Sequence, residues 1–192
     1  MSSGNSYERA LGDALSLFQS LQSLEPAVHR AAQLCVDALR AGNKLLICGN
    51  GGSSSEAQHL AGELMGRYKL NRRALPAVAL TADAAVITCI GNDYCYEDIF
   101  ARQLRGLARA GDVFVAFSSS GNSANVVKAL TTARELGIAS IAFLGSDGGK
   151  ARPLADCALI APHADTARAQ EAHQFLMHCI MDEIEAAFPA EA

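Results

Sequence analysis

With 192 residues, half of them apolar, the chain has the length of one domain with a substantial core, spanning 1–192. A formal net charge of −4 gives no overall basic field to recruit nucleic acid. No apolar run approaches the ~20 residues of a membrane span, and the opening MSSGNSYERALGDALSLF lacks the basic stretch of a secretory signal, so the sequence reads as cytoplasmic.

The first segment is amphipathic, with Leu11, Leu15, Phe18 and Leu21–Leu24 at helical spacing. A second helix is expected from Pro26, a favourable first-turn residue, through Val28, Ala32, Cys35 and Leu39 to a stop at Gly42. Two leading helices (about 5–41) with no strand between them need a cover for their apolar faces, on the domain or on a partner subunit. The pattern then changes. KLLIC (44–48) reads as a strand, GNGGSSS (49–55) as a loop, and the following residues to about Tyr68 as a helix. PAVALT (76–81) is a strand, and 82–90 and 98–110 are helical. DVFVAFS (112–118) is a strand, 123–136 a helix, ASIAFLG (139–145) and CALIAP (157–162) strands, and 168–187 a closing helix.

These strands are apolar throughout, as strands buried on both faces should be. Strands alternating with helices predict an α/β fold, a doubly wound parallel sheet of about five strands. Ala and Gly are abundant and aromatics sparse, which suits helices packed closely on a sheet. Six cysteines (Cys35, Cys48, Cys89, Cys95, Cys157, Cys179) show no C-x-x-C pair; most fall in apolar patterns and read as reduced core residues.

Ligands of such sheets bind beyond the carboxyl ends of the strands. Two of those ends carry unusual loops, GNGGSSS (49–55) and SSSGNS (118–123). Gly49, Gly51 and Ser54 imitate a dinucleotide fingerprint, but the acidic residue wanted after the next strand is misplaced, since Asp83 lies too far along. The second loop suits a phosphate better. A helix N-terminus offers free N–H groups and partial positive charge, serine hydroxyls add donors, and Gly121 lets the backbone turn around the oxygens. Helix capping alone would account for Ser123 but not for Ser118, Ser119 and Ser120 as well.

Two further groups of polar residues stand on helices. His59 and Glu63, four apart after the first loop, share a helix face beside Leu60, Leu64 and Met65. In the last helix stand Gln170, Glu171, His173 and His178. Glu171 and His178, seven apart, align better than Gln170 and His178, eight apart, so spacing alone selects Glu171. A solvated polar face is the usual fate of a pair such as His59 and Glu63, but a helix that opens at a strand's carboxyl end, follows a glycine-rich loop and carries apolar neighbours counts against it; for His178 a satisfied core histidine is the plainer reading.

GNGGSSSEAQHLAGEL, RRALPAVAL, GNDYCYEDIF, GDVFVAFSSSGNSANV and QEAHQFLMH together resemble the phosphoheptose isomerases of the sugar-isomerase (SIS) domain superfamily, in register from about residue 7 to 188. The resemblance implies the SIS fold, a cytosolic homotetramer with active sites between subunits, and bound zinc. It implies interconversion of sedoheptulose 7-phosphate and D-glycero-D-manno-heptose 7-phosphate, the first step toward the nucleotide-linked heptoses of lipopolysaccharide and other glycoconjugates. Carried over by position, the zinc ligands are His59, Glu63, Gln170 and His178, so the resemblance selects Gln170 where spacing preferred Glu171. Ser118, Ser119, Ser120 and Ser123 match the phosphate contacts, and Asn50, Gly51, Gly52, Asn92, Asp93 and Gln170 match other substrate contacts. Glu63 and His178 match the catalytic pair. Ser119 stands where threonine is common, Cys95 at a usual glycine place beside Asn92 and Asp93, and Ala169 for a larger apolar residue.

Aldose–ketose isomerisation moves a proton between C1 and C2 through an enediol and so needs a base, an acid and an electrophile at the sugar oxygens. A carboxylate, an imidazole and zinc meet those needs. An alternative from a different class uses the same fold without catalysis, in a tetrameric protein that binds the bacterial replication initiator DnaA. That relative lacks the catalytic glutamate and the final histidine, and this chain has both.

Overall fold

The apolar runs form five strands: β1 (Leu45–Gly49), β2 (Ala77–Ala79), β3 (Val113–Ser118), β4 (Ala139–Gly145) and β5 (Cys157–Ala161). The computed structural model describes residues 5–188 and Ala190; of the domain expected over 1–192, residues 1–4, 189, 191 and 192 lie outside the described residues. All strand pairs are parallel, in the order β2-β1-β3-β4-β5. Seven α-helices accompany them among the described residues: α1 (Ser6–Ser20), α2 (Glu25–Arg40), α3 (Gly52–Met65), α4 (Ala84–Asp93), α5 (Ala101–Leu107), α6 (Ala124–Glu135) and α7 (Thr166–Ala187).

Strand side chains alternate between two faces, and here each face has its own core. Leu45, Ile47, Val113, Val115, Phe117, Ile141 and Phe143 meet α1, α2, α3 and α7. Leu46, Cys48, Phe114, Ala116, Ala142 and Leu144 meet α4, α5 and α6. Each large side chain so buried contributes about 1.5–3 kcal/mol, which is why the strand sequences run apolar through both faces, with Ser118 and Ser140 the polar members of β3 and β4, rather than at alternate positions.

Local chemistry sets the boundaries. Pro26 lies in the first turn of α2, and Gly42 takes φ +82° just beyond its end. Asp83, too far along for a ribose ligand, accepts the Val86 N–H at 3.0 Å and caps α4. Asp165 accepts the Ala167 N–H at 2.8 Å, so α7 starts at Thr166, two residues before the expected start. The helix expected over 98–110 divides into a 3₁₀ turn at Tyr96–Asp98 and the shorter α5, because Ala108 turns the chain extended. Cys35, Cys48 and Cys157 are buried as expected, while Cys89 and Cys95 are exposed.

The strand order reverses between β1 and β3. From β1 the chain moves outward to β2, and from β3 it moves the other way to β5. The loops after β1 and β3 therefore flank the switch point, where a parallel sheet opens a crevice for a ligand.

Candidate active site

At that crevice a cleft of about 300 Å³ is lined by Asn50, Gly51, Gly52, Ser118, Ser119 and Ser123, with Thr166 and Gln170 of α7 on its far side. Helices α3 and α6 both begin at it, so two positive dipole ends face one space. Gly121 takes φ +63°, and its N–H donates to Ser118 Oγ at 3.2 Å. Ser123 occupies the N-cap of α6, yet its hydroxyl makes no capping bond. Capping therefore does not explain it, and the hydroxyl stays available to the cleft, 3.5 Å from Ser118 Oγ. Ser120 differs: it is exposed, and its Oγ accepts the Asn122 N–H at 3.1 Å within its own turn.

The β1 loop is braced by a residue the sequence did not single out. Asn125, buried in the first turn of α6, exchanges two hydrogen bonds of 2.8 Å with Asn50. The Tyr96 hydroxyl, from the 3₁₀ turn, donates to Asn50 Oδ1 at 3.1 Å. Gly52 lies close against α7: a Cβ there would lie 2.3 Å from Gln170 Nε2 and would displace that side chain's amide.

Helices α3 and α7 both lead away from the cleft, and two turns along they converge. His59, Glu63 and His178 place one ligand atom each within 4.8 Å of one another. His59 Nε2 is 2.8 Å from Glu63 Oε1, and the His178 ring lies edge-on to His59 and stacked on Tyr68. Burial, and then the neighbouring His59, hold the His178 imidazole below its usual range, so it stands as a neutral ring able to accept a proton or a cation. Two imidazoles and a carboxylate make the N/O donor set of a three-ligand zinc site with a position left open. These residues fit such an ion.

Two groups of expected site residues lie apart from this trio. Gln170 sits at the cleft against Gly52, and it is Gln174 whose amide touches both imidazoles, 2.9 Å from His59 Nδ1 and 3.0 Å from His178 Nε2. Asn92 and Asp93 are exposed at the end of α4 and hydrogen-bond each other at 2.8 Å, outside the cleft lining. Glu171, the choice of spacing, is exposed and pairs with Arg168. His173 is fully buried beside Phe117 and Phe143, 3.8 Å from the buried carboxylate of Glu56.

A family model for the SIS domain matches residues 7–145. A phosphoheptose isomerase of Citrifermentans bemidjiense is 53% identical over 162 residues, 84% of each chain. Among solved structures, a phosphoheptose isomerase from Neisseria gonorrhoeae superposes with a TM-score of 0.89 at 41% identity, over 94% of this chain and 97% of its own. One from Francisella tularensis gives 0.92 at 34% identity, over 97% of this chain and 100% of its own.

Proposed function

The chain belongs to the phosphoheptose isomerases, a family of SIS-domain proteins, and from that premise we propose that it interconverts sedoheptulose 7-phosphate and D-glycero-D-manno-heptose 7-phosphate through an enediol, with Glu63 and His178 as the acid–base pair. The observation that carries the substrate's size is the separation of the two halves of the site. His59 is seven residues beyond Gly52 on α3, and His178 eight beyond Gln170 on α7. At 1.5 Å per residue that is about 10–12 Å along the helices. An extended heptose 7-phosphate spans on the order of 10 Å from C1 to phosphorus, at about 1.2 Å of advance per bond. A phosphate in the serine cleft therefore delivers C1 and C2 to the trio.

In this reading the phosphate is held by Ser118, Ser119, Ser123 and the first-turn amides of α6, with Ser120 completing the turn, and its binding energy fixes the position of the reacting carbons. Asn50, Gly51, Gly52 and Gln170 border the path between the two ends, and Asn92 and Asp93 contact the sugar from the rim. Glu63 takes the C2 proton of the aldose and returns it at C1, and His178, neutral before the reaction, exchanges protons with the sugar oxygens. Zinc, held by His59, Glu63 and His178 with a glutamine beside them, would supply an electrophile for the charge that develops on oxygen. The same reading makes the protein a cytoplasmic homo-oligomer, a tetramer; among the described residues no helix is long and apolar enough to cross a membrane.

Nothing in these relatives supports the initiator-binding alternative. The test incubates the purified protein with sedoheptulose 7-phosphate and follows aldose formation. Glu63→Gln should keep sugar-phosphate binding and lower turnover by about 10²–10⁴, the usual worth of a positioned acid–base group. Normal turnover by that variant would remove Glu63 from its role.

A further inference from the structure

Asn50 lines the cleft just beyond β1, and its neighbours decide what it offers there. The Val126 backbone N–H can only donate, and it meets the Asn125 side chain at 2.9 Å, so the atom it meets is the oxygen, Oδ1. The other end of the Asn125 amide is then its N–H₂, which donates to Asn50 at 2.8 Å, so the atom it meets there is Asn50 Oδ1. Asn50 Nδ2 closes the pair by donating back to Asn125 Oδ1, also at 2.8 Å. The Tyr96 hydroxyl lies 3.1 Å from the same Asn50 oxygen and must be the donor. A single backbone N–H thus sets the direction of every hydrogen bond in a network that joins the β1 loop, α6 and the 3₁₀ turn.

Asn50 Oδ1 has two lone pairs, and both are taken. What the side chain keeps is the second proton of its amide nitrogen, so toward a ligand it is a donor and nothing else. An unbraced asparagine would turn either end to the cleft, since its terminal torsion is broad and nearly two-fold. The brace comes from the interior: Asn125 is 2% exposed and stands two residues beyond Ser123 in the first turn of α6. The turn that carries Tyr96 is pinned to the same helix, where Asp98 pairs with Lys128 at 2.8 Å. We infer that Asn125 is a positioning residue that acts through Asn50, holding one amide N–H ready for a sugar oxygen and tying that contact to the helix whose N-terminus takes the phosphate, a role that rests on the sugar-phosphate reading above. Tyr96 secures the same orientation from the rim. The oxygen read at this point accepts a hydrogen bond, and the amide that reads it is ordered before the sugar arrives.

A double-mutant cycle read by titration calorimetry with sedoheptulose 7-phosphate, run beside the isomerase assay, tests this. Asn50→Ala and Asn125→Ala should each weaken binding about 2–10-fold, the net worth of one hydrogen bond, and raise KM with kcat little changed. The double variant should bind no more weakly than either single one, because Asn125 has nothing to position once Asn50 is gone. Tyr96→Phe, at an exposed side chain, should show a smaller loss that likewise vanishes in Asn50→Ala, and it carries the cycle if Asn125→Ala fails to fold. In ¹⁵N–¹H spectra the sugar phosphate should move the uncommitted Asn50 side-chain proton. Losses that add in the double variants, or wild-type affinity in Asn125→Ala, would overturn the inference. Binding by wild type without turnover would overturn the isomerase reading alone, with the cycle still deciding the role of Asn125; no binding by wild type would overturn both.

Discussion

Gly121 shows how much of the site rests on one missing methyl group. Its φ of +63° costs an L-residue about 1–2 kcal/mol, and a Cβ there would lie 2.1 Å from the Gly148 carbonyl oxygen, which is backbone and cannot swing aside. Gly121→Ala should destabilise the protein by about 2 kcal/mol or more in urea unfolding and raise KM for the sugar phosphate more than it lowers kcat, since the turn serves binding. A second residue-scale property concerns pH. Burial, and next to it Cys157, push the Cys35 thiol from 9.0 up to about 12. In the unfolded chain that thiol ionises near 9 while in the folded chain it keeps its proton. The folded state therefore binds more protons above pH 9, and stability falls as pH rises from there toward 12. Urea midpoints measured between pH 8 and 11 should decline, and the decline should be shallower in Cys35→Ala even though that variant starts lower.

At the scale of elements, the convergence of α3 and α7 depends on a clamp at their far ends. Arg72 is buried; its Nη2 donates to the Glu63 carbonyl at 2.6 Å and its Nη1 to the Leu64 carbonyl at 2.9 Å, satisfying the last turn of α3. Glu185, two turns beyond His178 on α7, accepts the Lys69 and Leu70 N–H groups at 3.0–3.2 Å and lies 3.8 Å from Arg72 Nε. The loop pinned in this way carries Tyr68 onto the His178 ring. Arg72→Leu takes the buried cation from beside Glu185, which keeps only its backbone N–H partners, and removes the guanidinium donor from the Glu63 carbonyl, so it should cost about 3–5 kcal/mol and lower kcat, measured by urea unfolding and by turnover at saturating substrate. None of this was legible in the sequence. Strands and helices were, because burial on both faces writes itself as unbroken apolar runs and amphipathic helices as a 3.6-residue repeat. Helix ends were less so, since Asp83 and Asp165 act as caps only through local hydrogen bonds. His59, Glu63 and His178 stood out by type and spacing, but Gln170 and Gln174 are one turn apart on a similar face, and which reaches the imidazoles depends on how the two helices are set. His173 went unplaced for the same reason: its packing against Phe117 and Phe143 is tertiary.

For the whole molecule, what remains uncovered is as informative as the core. Helix α4 has the most apolar sequence of the helices, yet Ala84, Ala85, Val86 and Cys89 are exposed along it. Beneath it, an apolar depression of about 540 Å³ runs between Val78, Ile90 and Leu107. On the other face of the sheet Tyr7, Leu11 and Leu15 of α1 and Phe175 of α7 are also exposed. Monomeric proteins seldom leave contiguous apolar patches of this kind open to water, and a net charge of −4 is too small to hold identical chains apart. Copies of the chain covering these faces would also meet the need that the two leading helices raise, and would bring other chains toward the exposed Asn92 and Asp93. The protein should therefore sediment as a homo-oligomer at micromolar concentration in analytical ultracentrifugation, with the mass of four chains. Val86→Glu places a charge at the centre of the α4 face without touching either core; it should shift the species to lower mass while leaving the helical circular dichroism unchanged. A wild-type protein that sediments as a monomer at those concentrations would refute the assembly and leave the single-chain cleft and trio to account for all of the activity.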